Sequence, residues 1–242
     1  MEADAVAFAR ARLGFEADET QAAVLRSGAK RGILNCSRQW GKSTVGSLMA
    51  VHRAYTRPGS LVVVASPTQR QSGLLVAKAA DWVRGLGIRV HGDGTNECSL
   101  LFPNRSRIVG LPGMEGTVRG FSKVSLMLID EASRVSDEMY HALRPMLGVG
   151  DGDLWLMSTP FRKRGFFYDA WEFGGPGWYR VKAPVTECGR ISERFVEEER
   201  AELMEDIFRR EYLCEFQDDG SEVFERELLS EAWDGDIRQL EF

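Results

Sequence analysis

The residues of this 242-residue chain whose types and spacing suit chemistry fall into three short segments. The first is Cys36-Ser37-Arg38-Gln39-Trp40-Gly41-Lys42-Ser43-Thr44. Holding a phosphate chain with Mg²⁺ takes converging backbone N–H groups, a glycine where the backbone approaches closely, an ammonium and a hydroxyl. Gly41, Lys42 and Ser43 supply the last three. Cys36 stands where the pattern G-x-x-x-x-G-K-S/T has its first glycine, so the match is degenerate. The plain alternative is a helix start with a solvent-facing lysine.

The second segment is Asp130-Glu131, which closes the apolar run Leu126-Met127-Leu128-Ile129. An Asp at a strand end can orient a metal's water shell, and the next Glu can polarise the water that attacks a terminal phosphate. The alternative is an acidic pair that only caps the following helix. The third, Ser158-Thr159-Pro160, ends the run Leu154-Trp155-Leu156-Met157. Its hydroxyls face the sheet edge where ligands of open α/β sheets bind, a place to couple phosphate state to movement.

Elements must gather these segments. Residues 3–13 and 19–26 read as helices ahead of the first strand, 32–36. Strand and helix then alternate: helix 42–55, strand 60–65, helix 69–84, then strand 126–129, helix 136–147 and strand 154–157. Residues 98–102 and 107–111, flanking Pro103-Asn104, form an antiparallel excursion. Past Gly177 the chain turns to acidic helices, where Met204, Phe208, Tyr212 and Phe216 recur every four residues and Glu205/Arg209 and Asp206/Arg210 are spaced as ion pairs. This pattern predicts an α/β fold with a mostly parallel sheet between helices.

Composition sets the limits. With 31 Lys and Arg against 36 Asp and Glu the net charge is −5, so any nucleic-acid contact is local or shared between subunits. Cys36, Cys98, Cys188 and Cys214 form no C-x-x-C pair, and His52, His91 and His141 no H-E-x-x-H. Neither a zinc site nor a disulfide framework is readable, and reduced, mostly buried thiols are expected. The opening Met1-Glu2-Ala3-Asp4 lacks a basic start and no apolar run approaches the roughly 18 residues of a membrane span, so a soluble, unsecreted chain without membrane contact is expected.

Taken in order, Phe15…Gln21, Ser37-Arg38-Gln39-Trp40-Gly41-Lys42-Ser43, Ser66-Pro67-Thr68-Gln69, Val118-Arg119-Gly120, Leu128-Ile129-Asp130-Glu131-Ala132 and Ser158-Thr159-Pro160 resemble the large terminase subunit of tailed bacteriophages. Arg209-Arg210-Glu211-Tyr212-Leu213-Cys214-Glu215-Phe216 is similar to that family's link between ATPase and nuclease. The resemblance implies a P-loop NTPase of the ASCE/RecA-like kind, an ATP-driven motor that moves double-stranded DNA into a procapsid in the host cytoplasm. It implies that residues 37–44 bind ATP, with Arg38 sensing the γ-phosphate and Lys42 and Ser43 holding phosphate and Mg²⁺. Asp130 would hold the metal through water, Glu131 would be the catalytic base, and Ser158 and Thr159 would couple hydrolysis to motion. Gln21, with Phe15 nearby, would read adenine, and Arg119 would act as a finger on a neighbour's nucleotide, its alternative being a surface arginine paired locally. The implied partners are DNA, gripped weakly by the domain alone, a portal protein and the small terminase subunit. A homo-pentameric ring is the implied assembly, with a monomer the alternative for the isolated chain. Arg162-Lys163-Arg164 and Arg105 with Arg107 are the notable basic clusters for DNA.

The expected division is an ATPase core over residues 1–182 and a helical lid or linker over 183–242, with the N-terminal helices joining that lid. Only residues 217–242 follow Phe216, and their acids lack strands to gather them, so ATP hydrolysis without DNA cleavage is expected. A helicase-like translocase fragment is the competing enzyme reading, though it needs a second motor domain. An ATP-binding assembly or portal-docking module without turnover is the competing non-enzyme reading.

Overall fold

The computed structural model describes residues 4–111 and 120–218. Helices α1 (Ala5–Leu13) and α2 (Glu19–Arg26) come first, each started by an aspartate. Asp4 accepts from the N–H groups of Val6 and Ala7, and Asp18 closes a capping box with Gln21.

The strands are β1 (Arg31–Cys36), β2 (Leu61–Ala65), β3 (Ser99–Leu101), β4 (Arg107–Gly110), β5 (Val124–Asp130), β6 (Asp153–Ser158) and β7 (Tyr179–Ala183). They form a 7-stranded sheet in the order β3-β4-β2-β5-β6-β1-β7. Only β3, against β4, runs antiparallel. Helices α3 (Lys42–Thr56), α4 (Gln69–Gly85), α5 (Asp137–Leu143), α6 (Gly165–Glu172), α7 (Glu193–Glu202) and α8 (Glu205–Leu213) make up the rest.

The central strands are apolar without a break because both faces are covered. One face packs Leu34, Val64, Leu128 and Trp155 against residues of α1 to α4. The other packs Ile33, Val63, Ile129 and Leu156 against Met139 and Leu143 of α5 and Phe166 and Phe167 of α6. Gly32 of β1 makes room for Trp155 of β6: a Cβ there would lie 2.2 Å from its ring.

Register aligns the chemistry. Asn35 pairs with Ser158, Asp130 with Met157 and Ala65 with Ile129, so β1, β2, β5 and β6 end at the same edge. β6 lies between the strand feeding the phosphate loop and the strand ending in Asp130.

Four expectations change. Residues 179–183 are a strand, β7, not part of the acidic helices, and the boundary expected at 182 falls inside it. β4 is a full member of the sheet, parallel to β2, so only β3 departs from the parallel pattern. The N-terminal helices pack into the main core through Ala5, Phe8, Val24 and Leu25, whereas Val185, Phe208 and Tyr212 form a separate small cluster in the C-terminal segment. The four-residue repeat outruns its helix: α8 stops at Leu213, capped by Cys214 at φ 57°, and Phe216 packs instead on Tyr168, 5.1 Å between ring centroids. Arg209 and Arg210 pair with Glu215 and Glu211 rather than with Glu205 and Asp206.

Candidate active site

The phosphate loop leaves β1 at Cys36 and enters α3 at Lys42. Gly41 sits at φ 102°, a conformation glycine reaches without strain. Cys36 has an ordinary extended backbone inside β1, so the position where the pattern carries its first glycine does not need one here. Burial pushes the Cys36 thiol far above the usual range, leaving a neutral group. All four cysteines are free thiols, three of them buried.

Lys42 is buried, and its ammonium donates to the carbonyls of Cys36 at 3.2 Å and Ser37 at 3.1 Å. The Ser43 hydroxyl donates to Oδ2 of Asp130 at 3.1 Å, joining two segments 87 residues apart in sequence. Burial, and next the Glu131 charge, push the Asp130 carboxyl up to about 6 against the pull of Lys42 and Ser43. Glu131 turns the chain out of β5 in the left-handed region, φ 51° and ψ 41°, a costly conformation for a residue with a side chain.

The loop opens on a cavity of about 660 Å³ lined by Arg38, Lys42, Ser43, Glu131 and Thr159, with Lys78 and Arg134 adding positive charge. Lys78 donates to the Thr44 hydroxyl at 3.1 Å. The Arg134 guanidinium lies over Phe161, 4.5 Å from the ring centroid. Among the described residues no group of three His, Cys, Asp or Glu is placed to hold a metal, and the Ser43 hydroxyl beside the Asp130 carboxylate is a pair of hard oxygen donors that suits Mg²⁺ shared with a ligand's phosphates.

Besides Lys78 and Arg134, sequence reasoning missed three residues that tie this site together. Ser133 hydrogen-bonds the Ser158 hydroxyl at 2.8 Å and donates to the Thr159 carbonyl at 2.9 Å, tying the turn after Glu131 to the end of β6. Arg190 reaches the loop from the segment before α7. Glu211 of α8 is buried and accepts from Nε of Arg38 at 2.6 Å and of Arg210 at 3.0 Å, while its carbonyl accepts the Arg38 N–H at 3.0 Å. Only Ser133, two residues past Glu131, carried a positional signal. The two others meet the loop across 150 and 173 residues of sequence.

Burial alone would raise the Glu211 carboxyl, but the hydrogen bonds and charges of Arg38 and Arg210 outweigh it and hold the group below its ordinary value. A carboxyl lowered by folding stabilises above its unfolded pKa, and that contribution disappears as pH falls through the folded one. Glu211→Ala is therefore expected to cost about 2 kcal/mol at neutral pH and less below pH ~4. Urea unfolding of both chains across pH reads this, and a difference that does not vary with pH rules the ion pairs out as its source.

Several expected ligand contacts are engaged elsewhere. The Trp40 side chain, 1% exposed, is a core residue of the face under α3. Gln21 is equally buried, its amide accepting from the Asp18 N–H at 3.3 Å and donating to the Trp40 carbonyl at 3.0 Å, so it holds the loop itself. Phe15 packs edge-on against Trp82, 6.0 Å between centroids. Ser37 is fully buried, its N–H bound to the Ala183 carbonyl at 2.9 Å, and Gln39 lines the cavity. Arg119 lies outside the described residues. Of the basic clusters, Arg107 pairs with Asp93 at 3.5 Å and Lys163 with Asp218 at 2.6 Å.

Residues 33–231 match the family model described as terminase large subunit, T4likevirus-type, N-terminal. The chain belongs to this terminase family. The large terminase subunit of Thermus virus P23-45 is 25% identical over 88% of this chain and 51% of its own length, so the chain spans about half the length of that curated relative. Among solved structures, the large terminase ATPase domain of Thermus phage P74-26 superposes with a TM-score of 0.75 at 24% identity, covering 86% of this chain and 96% of that one. The large terminase of a thermophilic bacteriophage in complex with ATP-gamma-S matches at TM-score 0.67 and 14% identity, covering 89% of this chain and 52% of that one. The mostly parallel, helix-covered sheet is thus the fold of large terminase ATPase domains. No described helix of this terminase domain is long and apolar enough to cross a membrane.

Proposed function

We propose that this terminase domain hydrolyses ATP with Mg²⁺ and that hydrolysis drives translocation of double-stranded DNA. The observation that carries the reading is the Ser43 to Asp130 contact of 3.1 Å beside Lys42, with Glu131 lining the same cavity. One hydroxyl and one carboxylate are hard oxygen donors of the kind that hold Mg²⁺ together with a nucleotide's phosphates. Bound there, the ion would neutralise charge on the transferred phosphate. That a terminase of the same fold has been solved with ATP-gamma-S supports nucleotide binding by this domain.

The chain's own residues divide the work. Lys42 and the N–H groups opening α3 bind and orient the β and γ phosphates. Glu131 accepts a proton from the attacking water. Arg38, held by Glu211, is within the loop and able to answer γ-phosphate charge. Ser133 transmits the state of the Glu131 turn to Ser158 and Thr159. Ser133→Ala is expected to lower kcat for ATP several-fold while KM stays within about twofold, because it loosens the base and not the phosphate cradle. Steady-state kinetics of the pair separate the two constants, and a change confined to KM counts against this role.

In the assembled motor the partners are DNA, a portal protein and the small subunit, and a homo-pentameric ring brings Arg119 of one copy to the next copy's nucleotide. ATPase rate against protein concentration tests this: a specific activity that climbs steeply with concentration supports catalysis completed by a neighbour. Constant specific activity assigns hydrolysis to the single chain, and no hydrolysis at any concentration favours a nucleotide-binding module without turnover.

A further inference from the structure

We infer that Arg190 and Gln21 are positioning residues that hold the Trp40–Gly41 peptide in the sense the phosphate loop requires. This rests on the nucleotide-binding reading above. The Trp40 carbonyl oxygen accepts from Nε2 of Gln21 at 3.0 Å and also from Nη2 of Arg190. Two donors from distant parts of the chain fill both lone pairs of one buried oxygen.

Both donors are themselves fixed by Asp18. Its carboxylate accepts the Gln21 N–H at 2.8 Å, and its own N–H donates to the Gln21 amide oxygen at 3.3 Å. The same carboxylate pairs with Nη1 of Arg190 at 3.1 Å. Asp18, Gln21, the Trp40 carbonyl and Arg190 thus close a ring of contacts. The helix N-cap that starts α2 doubles as the anchor for the arginine.

The held peptide is one that needs holding. Gly41, on its C-terminal side, has φ 102°, and Gln39, one residue ahead of Trp40, has φ 60°, both in the left-handed half of the map. A peptide followed by glycine inverts by opposite rotations on either side, with no Cβ on the glycine to oppose the swing. The described peptides are trans, so the Gly41 N–H points away from the Trp40 carbonyl. With the carbonyl bound by Gln21 and Arg190, the N–H is turned from them, and Gly41 lines the cavity whereas neither donor does. Inversion would present a carbonyl oxygen to phosphate in place of a donor. Packing is close on the donor side: a Cβ on Gly41 would lie 3.0 Å from Gln21 Nε2 and 3.8 Å from Arg190 Nη2.

A clamp on the loop and a contact to the base differ in what they discriminate. Calorimetric titration of the full chain with ATP, GTP and inorganic tripolyphosphate separates them. Arg190→Ala is expected to weaken ATP and tripolyphosphate by the same factor, about tenfold, with the ATP to GTP ratio unchanged. Arg190→Lys, which keeps one donor, should stay within about threefold. A loss for ATP with tripolyphosphate unaffected would make Arg190 a reader of the base and overturn the inference, as would unchanged affinity for both. If Arg190→Ala does not melt cooperatively, Gln21→Ala, which removes the other donor to the same oxygen, decides by the same criteria. Lys42→Ala is the control for the underlying reading, since intact tripolyphosphate affinity there means that the loop is not the phosphate site, whatever Arg190 does.

Discussion

Glu131→Gln is expected to bind ATP within about twofold of the parent chain and to turn it over at least about a hundredfold more slowly. Gln matches Glu in size, so the left-handed turn at φ 51° and the backbone N–H bond to Oδ1 of Asp130 at 3.2 Å have no steric reason to change. An amide, however, takes no proton from water. The substitution also removes the charge that helps raise the Asp130 carboxyl, so Asp130 ionises more readily and the oxygen donors at Ser43 are not weakened. Binding and chemistry should therefore separate cleanly. Single-turnover hydrolysis beside equilibrium titration of nucleotide measures both, and a variant that still turns over at the parental rate means that another group is the base.

Lys42→Ala should remove ATP binding, by about a hundredfold or more, with hydrolysis lost as a consequence. The effect is large because the ammonium does two jobs at a buried position. It supplies the positive charge for phosphate, and it binds the carbonyls of Cys36 and Ser37 at 3.2 and 3.1 Å, drawing the loop around itself. Alanine leaves those two acceptors facing inward and takes a cation away from Asp130, whose carboxyl then rises further. Titration with a fluorescent ATP analogue reads the loss. Parental affinity in this variant would dismiss residues 36–44 as the phosphate site.

What the sequence discloses about this site is what lies close together along the chain. Gly41, Lys42 and Ser43 are consecutive, so their chemistry is readable at once, and the runs 126–129 and 154–157 are apolar throughout because both faces of their strands are covered. β7 escaped notice because Tyr179-Arg180-Val181-Lys182-Ala183 is an edge strand with charged residues partly exposed, so burial marks it weakly. Glu211 looked like one charge among many on an acidic helix, yet it is 4% exposed, and nothing local announces the arginines that surround it. Position near a motif does not say which way a side chain turns, and nothing local marks the Trp40 ring as part of the core or the Gln21 amide as a brace on the loop carbonyl.

The same long-range contacts set an order of assembly. Asn35 donates to the Cys214 carbonyl at 3.0 Å across 179 residues, the Ser37 N–H bonds to Ala183 on β7, and Arg38 meets Glu211 across 173. A ribosome has released the whole phosphate-loop motif long before it makes the residues that wall it in. Contacts of such separation form late and slowly, since loop closure must be met first. Nucleotide competence in this domain therefore waits until β7 and α8 have been made. A nascent chain carrying every motif residue up to Thr159 still lacks a finished loop, and ATP favours only the chain in which α8 has docked against it.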